Sequence, residues 1–396
     1  MSGDAEAQSN DRPRSFRQLG SHPAFSISSW IFCSSLTVLL NKWLMSTVGF
    51  KYPITLTSWH LLFASLVTQL LSRTTPLLDA RRTAKITGRL YLRAVVPAAL
   101  AHAAALACTN LALARLSLAL ATVLRAAWPV ASLLAAWALG LDNPPLRRAL
   151  YALAVLPGVA LAVVARPAGS DSDSESAGLL FGAGAVVLDA LHAAVAAALL
   201  LSSGDGAPGA GAGVGLDPLV ALYYTAPVSA AATSLAALAV EWRAFDPADL
   251  ARAGLLTLLA SAVASFVLAV AGAFVTTKTS KPTISTASLL RDFLLIAASV
   301  IVWRTHLTPP QLLGYALACV AVVHYSLGWE QMAARSAAGW AYAREVAAAE
   351  PDEVRRSLAA RKSLVVALAA TAAGLLTVGY VFSGAGASVA MSARAG

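Results

Sequence analysis

Two arginines stand where a chain in lipid tolerates them least. Arg125 closes the stretch "ATVLR", and Arg291, followed by Asp292, lies inside "ASLLRDFLLIAASVIVW". A charge at the centre of a spanning helix costs about 2.5–3.5 kcal/mol on insertion scales, so each is a candidate for function. A guanidinium carries five donors in a planar fork that grips phosphate or carboxylate through two parallel hydrogen bonds. The chemistry within reach is therefore the binding of a phosphate-bearing anion. The competing reading is a set of internal ion pairs with Asp189 and Asp292, the acids placed well inside apolar runs. Residues i and i+1 diverge around a helix by about 100° and do not face each other. Asp292 is accordingly expected to be a poor partner for Arg291.

Such residues need a membrane scaffold to position them, and the composition supplies one. The 396 residues are 58% hydrophobic and 12% charged, with mean hydropathy +0.68. That leaves too little polar surface for a soluble globular chain. The fold class is an all-α polytopic membrane protein. The net charge of +9 does not indicate nucleic acid, because the basic residues gather in short loops between apolar runs.

Runs of about 20 apolar residues mark spanning helices. They fall near 24–45, 54–72, 91–113, 117–139, 146–166, 178–202, 216–240, 251–277, 282–303 and 309–328. Ten transmembrane helices result, and an extra eleventh is expected at 363–384. Arg73, Arg81, Arg82, Lys85 and Arg89 make the second loop cytosolic by the positive-inside rule. The N-terminal tail, 1–23, is then cytosolic, the acidic loop 167–177 lumenal and the charged segment 329–362 cytosolic, with the extra helix and tail in 363–396.

Cys33, Cys108 and Cys319 lie in apolar runs without metal-ligand spacing. Neither a metal nor a cofactor nor a catalytic residue is expected. Gly204, Gly206 and Gly209 match G-x-G-x-x-G, but in a low-complexity connector rather than between strand and helix. A flexible linker is the reading there.

The chain repeats itself. "ATVLR" at 121–125 returns as "ASLLR" at 287–291, an offset of 291 − 125 = 166, and "YALA" at 151–154 returns at 315–318, an offset of 315 − 151 = 164. Each half, 24–166 and 178–328, holds five helices. Five is odd, so the second half enters the membrane from the opposite side. Inverted repeats of this kind place a substrate site near the bilayer midplane at the repeat interface. Arg125 lies ten residues beyond Arg115, and Arg291 ten beyond Lys281, each about 15 Å deep.

These residues resemble the triose-phosphate and nucleotide-sugar translocators of the drug/metabolite transporter superfamily, especially its fungal members. The stretches that carry the resemblance are "LNKWLMSTVGFKYPITLTSWHLLFASLVTQLLSRTT", "LRAAWPV", "DPLVALYYTAPV", "KTS" with "LLRD", and "LGYALACVAVVHYSLG". The resemblance implies ten helices in Golgi, endoplasmic-reticulum or plastid membranes. It also implies antiport of a nucleotide sugar or sugar phosphate against a nucleoside monophosphate or phosphate, with no enzymatic step; the alternative is a transporter-derived membrane protein whose altered sixth helix has lost transport. Arg125 and Arg291 stand where the family usually carries lysine. Asp292 stands where the phosphate-sugar branch typically carries arginine, which favours a nucleotide sugar in the Golgi or endoplasmic reticulum. The implied partners are the phosphorylated solute and the lipid bilayer; a homo-oligomer is compatible with the pattern.

Around the arginines the expected pocket includes Tyr223 and Tyr224 as stacking groups, Asn110 as a hydrogen-bonding group or helix glue, and Lys42 and Lys278 at the two mouths. Lys42 could equally snorkel, and Lys278 could equally serve topology. His60, His102 and His192 could relay protons or satisfy local hydrogen bonds. Asp189 and His192 occupy a sixth helix that is otherwise alanine-rich. Pro129 is expected to kink the fourth helix beside Arg125.

Overall fold

The computed structural model describes residues 23–75, 78–79, 81, 86–165, 172–197, 218–278 and 281–348, and among them there is no strand. The long helices, in chain order, are α1 (Pro23–Ser46), α2 (Pro53–Thr74), α3 (Gly88–Arg115), α4 (Leu118–Arg125 and Trp128–Ala138) and α5 (Leu146–Val164). They are followed by α6 (Ser172–Val195), α7 (Pro218–Val240), α8 (Leu255–Lys278), α9 (Lys281–Trp303) and α10 (Pro309–Ala348). Six of them (α2, α3, α5, α6, α7 and α8) are long and apolar enough to cross a membrane, and the two pieces of α4 make a seventh if they form one span.

Local chemistry sets the starts and breaks. Pro53 occupies the first turn of α2, where a missing N–H costs nothing. Glu241, at the end of α7, accepts from the N–H groups of Ile54 and Thr55 at 2.8 and 2.7 Å and so caps α2 from across the bundle. Ser117 Oγ accepts from Leu120 N–H and starts α4. The first piece of α4 stops at Arg125, because Pro129 has no N–H to give the Arg125 carbonyl. The helix resumes at Trp128 with a bend of 40°.

Helix contacts fall into matched pairs when α1–α5 are numbered against α6–α10. α3 lies on α6 as α8 lies on α1; α4 lies on α6 as α9 lies on α1; α7 lies on α3 as α2 lies on α8. α2, α4 and α5 each pack on their own counterparts α7, α9 and α10. At the α5–α10 crossing the backbones nearly touch: a methyl built on Gly158 would meet Ala318 N at 2.5 Å, and one on Gly314 would meet Gly158 O at 2.6 Å.

Hydrogen bonds tie the segment 46–53 to its neighbours at one end of the bundle. Trp303 Nε1 donates to Ser46 Oγ at 3.1 Å, and Tyr52 Oη donates to the Ala244 carbonyl at 2.7 Å. Leu39, Leu113, Leu118, Leu295 and Ala298 fill the space between α1, α3, α4 and α9 just below.

Three boundaries differ from expectation. The acidic stretch expected as a loop is helical from Ser172, with Asp173 and Glu175 in the first turn of α6, where negative charge is favoured by the helix dipole. The eighth run is interrupted at Gly254, whose φ of +76° separates a short helix, Pro247–Ala253, from α8. α10 continues to Ala348, well past the expected end at 328. The tail 1–22, the linker with Gly204, Gly206 and Gly209, and the run 363–384 lie outside the described residues.

Candidate anion site

α4 and α9, the repeat-related helices, bring Arg125 and Arg291 within electrostatic range of each other, with Asp292 and Asp189 also in range. Their environments differ. Arg291 is 8% exposed and Asp292 6%, and the two form an ion pair in which Arg291 Nε and Nη2 donate to Asp292 Oδ1 at 3.0 and 2.6 Å. The expectation that Asp292 is a poor partner for Arg291 is corrected here. It considered only Cα–Cβ directions, whereas the arginine stem is long enough to curl back along the helix surface.

Arg291 Nη1 donates to Ser34 Oγ at 3.3 Å, and the guanidinium lies over the Trp30 ring at 5.5 Å from its centroid. Three of its donor atoms are engaged, but a guanidinium has five N–H bonds, so two remain to grip an anion. Arg125 is half-buried and, among the described residues, has no hydrogen bond and no ion pair. Asp189, on α6, likewise has no hydrogen bond or ion pair among the described residues. One cation of the centre is thus neutralised within the protein and the other is available.

The remaining candidates separate. Asn110 ties three helices together: Asn41 Nδ2 donates to its Oδ1 at 3.1 Å, and its Nδ2 donates to Thr57 Oγ1 at 2.9 Å. Lys42, 9% exposed, donates to the carbonyls of Leu113 and Leu116 at 2.8 and 2.7 Å and so caps the end of α3. Its head does not snorkel. Tyr223 and Tyr224 pack edge-to-face on each other, and Tyr224 likewise on Tyr91, in a cluster with Leu78, Val95 and Val195, while Arg81 lies over the Tyr223 ring. Lys278 is the last residue of α8, and its side chain is outside those described. His60 is bonded to Ser261 Oγ at 3.0 Å. His192 places Nδ1 2.9 Å from the Ala98 carbonyl oxygen and stacks on His102 with ring centroids 4.5 Å apart.

A family model described as the Triose-phosphate Transporter family matches residues 23–326. The chain belongs to that family. Arabidopsis thaliana relatives named "Probable sugar phosphate/phosphate translocator" are similar to it. One is 26% identical over 76% of this chain and 81% of its own length, another 28% over the same shares, and a third 29% over 75% and 77%.

Within this Triose-phosphate Transporter chain, sequence reasoning missed Trp30 and Ser34. A signal was present. Trp30, Ser34, Thr37 and Asn41 recur at i, i+4, i+7 and i+11, one face of a helix, and polar groups on one face of a membrane helix point into the bundle. Tyr315 was missed as well: it is buried beside Cys319, on a ring packed edge-to-face against Phe293.

Proposed function

We propose that the chain exchanges a phosphorylated small molecule for phosphate across a membrane, acting as an antiporter without chemical conversion. One observation carries this reading: among the described residues the guanidinium of Arg125 has no hydrogen-bond or ion-pair partner, while a second guanidinium stands within electrostatic range. An unpaired cation in a membrane interior is costly, and a phosphate bound between two guanidiniums removes that cost through charge-assisted hydrogen bonds. The relatives' names point to sugar phosphates. The matched helix contacts support an inverted repeat of ten spans, and the basic loops flanking α2–α3 and α4–α5 support a cytosolic N-terminus.

A second reading, a nucleotide sugar against a nucleoside monophosphate in the Golgi or endoplasmic reticulum, rests on Asp292, which distinguishes this chain from the phosphate-sugar pattern. The packing of Tyr223 and Tyr224 among apolar side chains weighs against them as a base-stacking platform. Radiolabelled phosphate uptake into liposomes preloaded with triose phosphate, phosphate or nucleoside monophosphate decides between the readings. Saturable uptake driven by triose phosphate or phosphate supports the first. Uptake of labelled nucleotide sugar driven only by nucleoside monophosphate replaces it with the second, and no counterflow of either kind overturns both.

A further inference from the structure

The charged side chains gathered around the site, Arg125, Arg291, Asp189 and Asp292, sum to zero. An incoming phosphate group brings about −1.5 to −2 at neutral pH. An occluded carrier is penalised for holding that uncompensated excess in its low-dielectric interior. A companion positive charge removes part of the penalty, and a group able to supply one lies beside Asp189.

His192 follows Asp189 by three residues on α6, one helical turn along the same face. Its Nδ1 faces a carbonyl oxygen, Ala98 O at 2.9 Å; a carbonyl only accepts, so Nδ1 carries the hydrogen and Nε2 holds the lone pair. His102, on α3, lies against it at 4.5 Å between centroids with planes tilted by 36°, and His102 Nδ1 is buried with no hydrogen-bond partner among the described residues. Two tilted imidazoles thus face each other, one with a lone pair on Nε2 and the other with an orphaned nitrogen among the described residues.

The pair's own helix α3 carries Arg89, Arg93 and Arg115 toward its ends, α6 carries Asp173 and Glu175 in its first turn, and α2 carries Arg73 in its last. α6 brings Asp189 and α4 brings Arg125, both part of the centre already counted, and the second piece of α4 is uncharged. α7 presents no charged residue, His60 of α2 is bonded to Ser261, and Lys42 of α1 is held at the far end of α3.

We propose that the carrier takes up a proton with its phosphorylated anion and that His102 and His192, beside Asp189, bind it. The proton enters from the water on the side where the anion binds and leaves with it on the other side. The carrier thereby gains a proton-driven mode that an exchanger lacking this pair does not have. The proposal rests on the phosphate reading above.

The test uses the full chain in liposomes and labelled inorganic phosphate. Uptake is measured with internal phosphate at equal pH, then without internal phosphate at equal pH and with the outside one to two pH units more acid. The expected result is at least fivefold stimulation by the acid-outside gradient, falling to less than twofold in His102→Gln/His192→Gln. Phosphate speciation is the same for both proteins, so the difference belongs to the imidazoles. Equal stimulation in both, or none in the wild type, overturns the proposal while leaving exchange standing. Absence of exchange in phosphate-loaded vesicles overturns the phosphate reading itself. If the double variant fails to fold, as judged by its melting curve, the single His192→Asn variant replaces it under the same criterion.

Discussion

Arg291 and Asp292, neighbours in the chain, close on one another through two hydrogen bonds to a single carboxylate oxygen, and both are buried. Arg125, at the matching position of the first half, has no such neighbour: Ala126 follows it. The two halves therefore present one neutralised cation and one open cation to the same centre.

Removing half of the buried pair exposes the other half. Arg291→Ala leaves a buried carboxylate without its partner and is expected to destabilise the protein by about 3–5 kcal/mol. Arg291→Ala/Asp292→Ala should recover most of that loss. Thermal melting of the purified single and double variants checks it; equal melting points for the two would contradict the pairing.

Arg125→Ala removes no intramolecular bond. Its melting curve should stay close to wild type, while affinity for phosphate falls about 10- to 100-fold, the loss expected for charge-assisted hydrogen bonds worth about 1.5–3 kcal/mol. Arg125→Lys keeps the charge without the planar fork and should fall between. Ligand-induced shifts in melting temperature provide the readout.

Lys42→Met should cost about 1–3 kcal/mol, because two buried carbonyls at the end of α3 lose their donor. The deficit should appear in melting temperature and not in the apparent affinity for phosphate. An affinity loss at normal stability would assign Lys42 to the substrate instead.

Gly158→Leu or Gly314→Leu places a side chain where backbone atoms already stand at 2.5–2.7 Å. Either change should reduce monodisperse yield on size-exclusion chromatography severely, and even Gly→Ala should lower the melting temperature. Gly184, with nothing within 4 Å of its would-be Cβ, is the tolerant control.

Much of this was legible before any coordinates. Apolar run length located the helices, because lipid demands it, and the repeat in "ATVLR" and "ASLLR" singled out both arginines. Side-chain reach was not legible: that Arg291 folds onto Asp292, or that Lys42 bends to two carbonyls of α3, depends on rotamers and on a neighbouring helix end. Tyr223 and Tyr224 were named from residue type and family position, and type alone does not say whether a ring faces a cavity or another ring. The break in α4 was foreshadowed by Pro129, whereas the helical start at Ser172 was hidden beneath a composition that resembles a loop.

The bare contact of Gly158 with Gly314 also limits how the molecule can move. With no side chains between the two backbones, α5 and α10 cannot slide by a residue without driving a larger group into the gap, since packed interfaces switch between discrete fits rather than deforming smoothly. The crossing therefore holds α5 and α10 in one register, a single discrete fit between the last helices of the two halves.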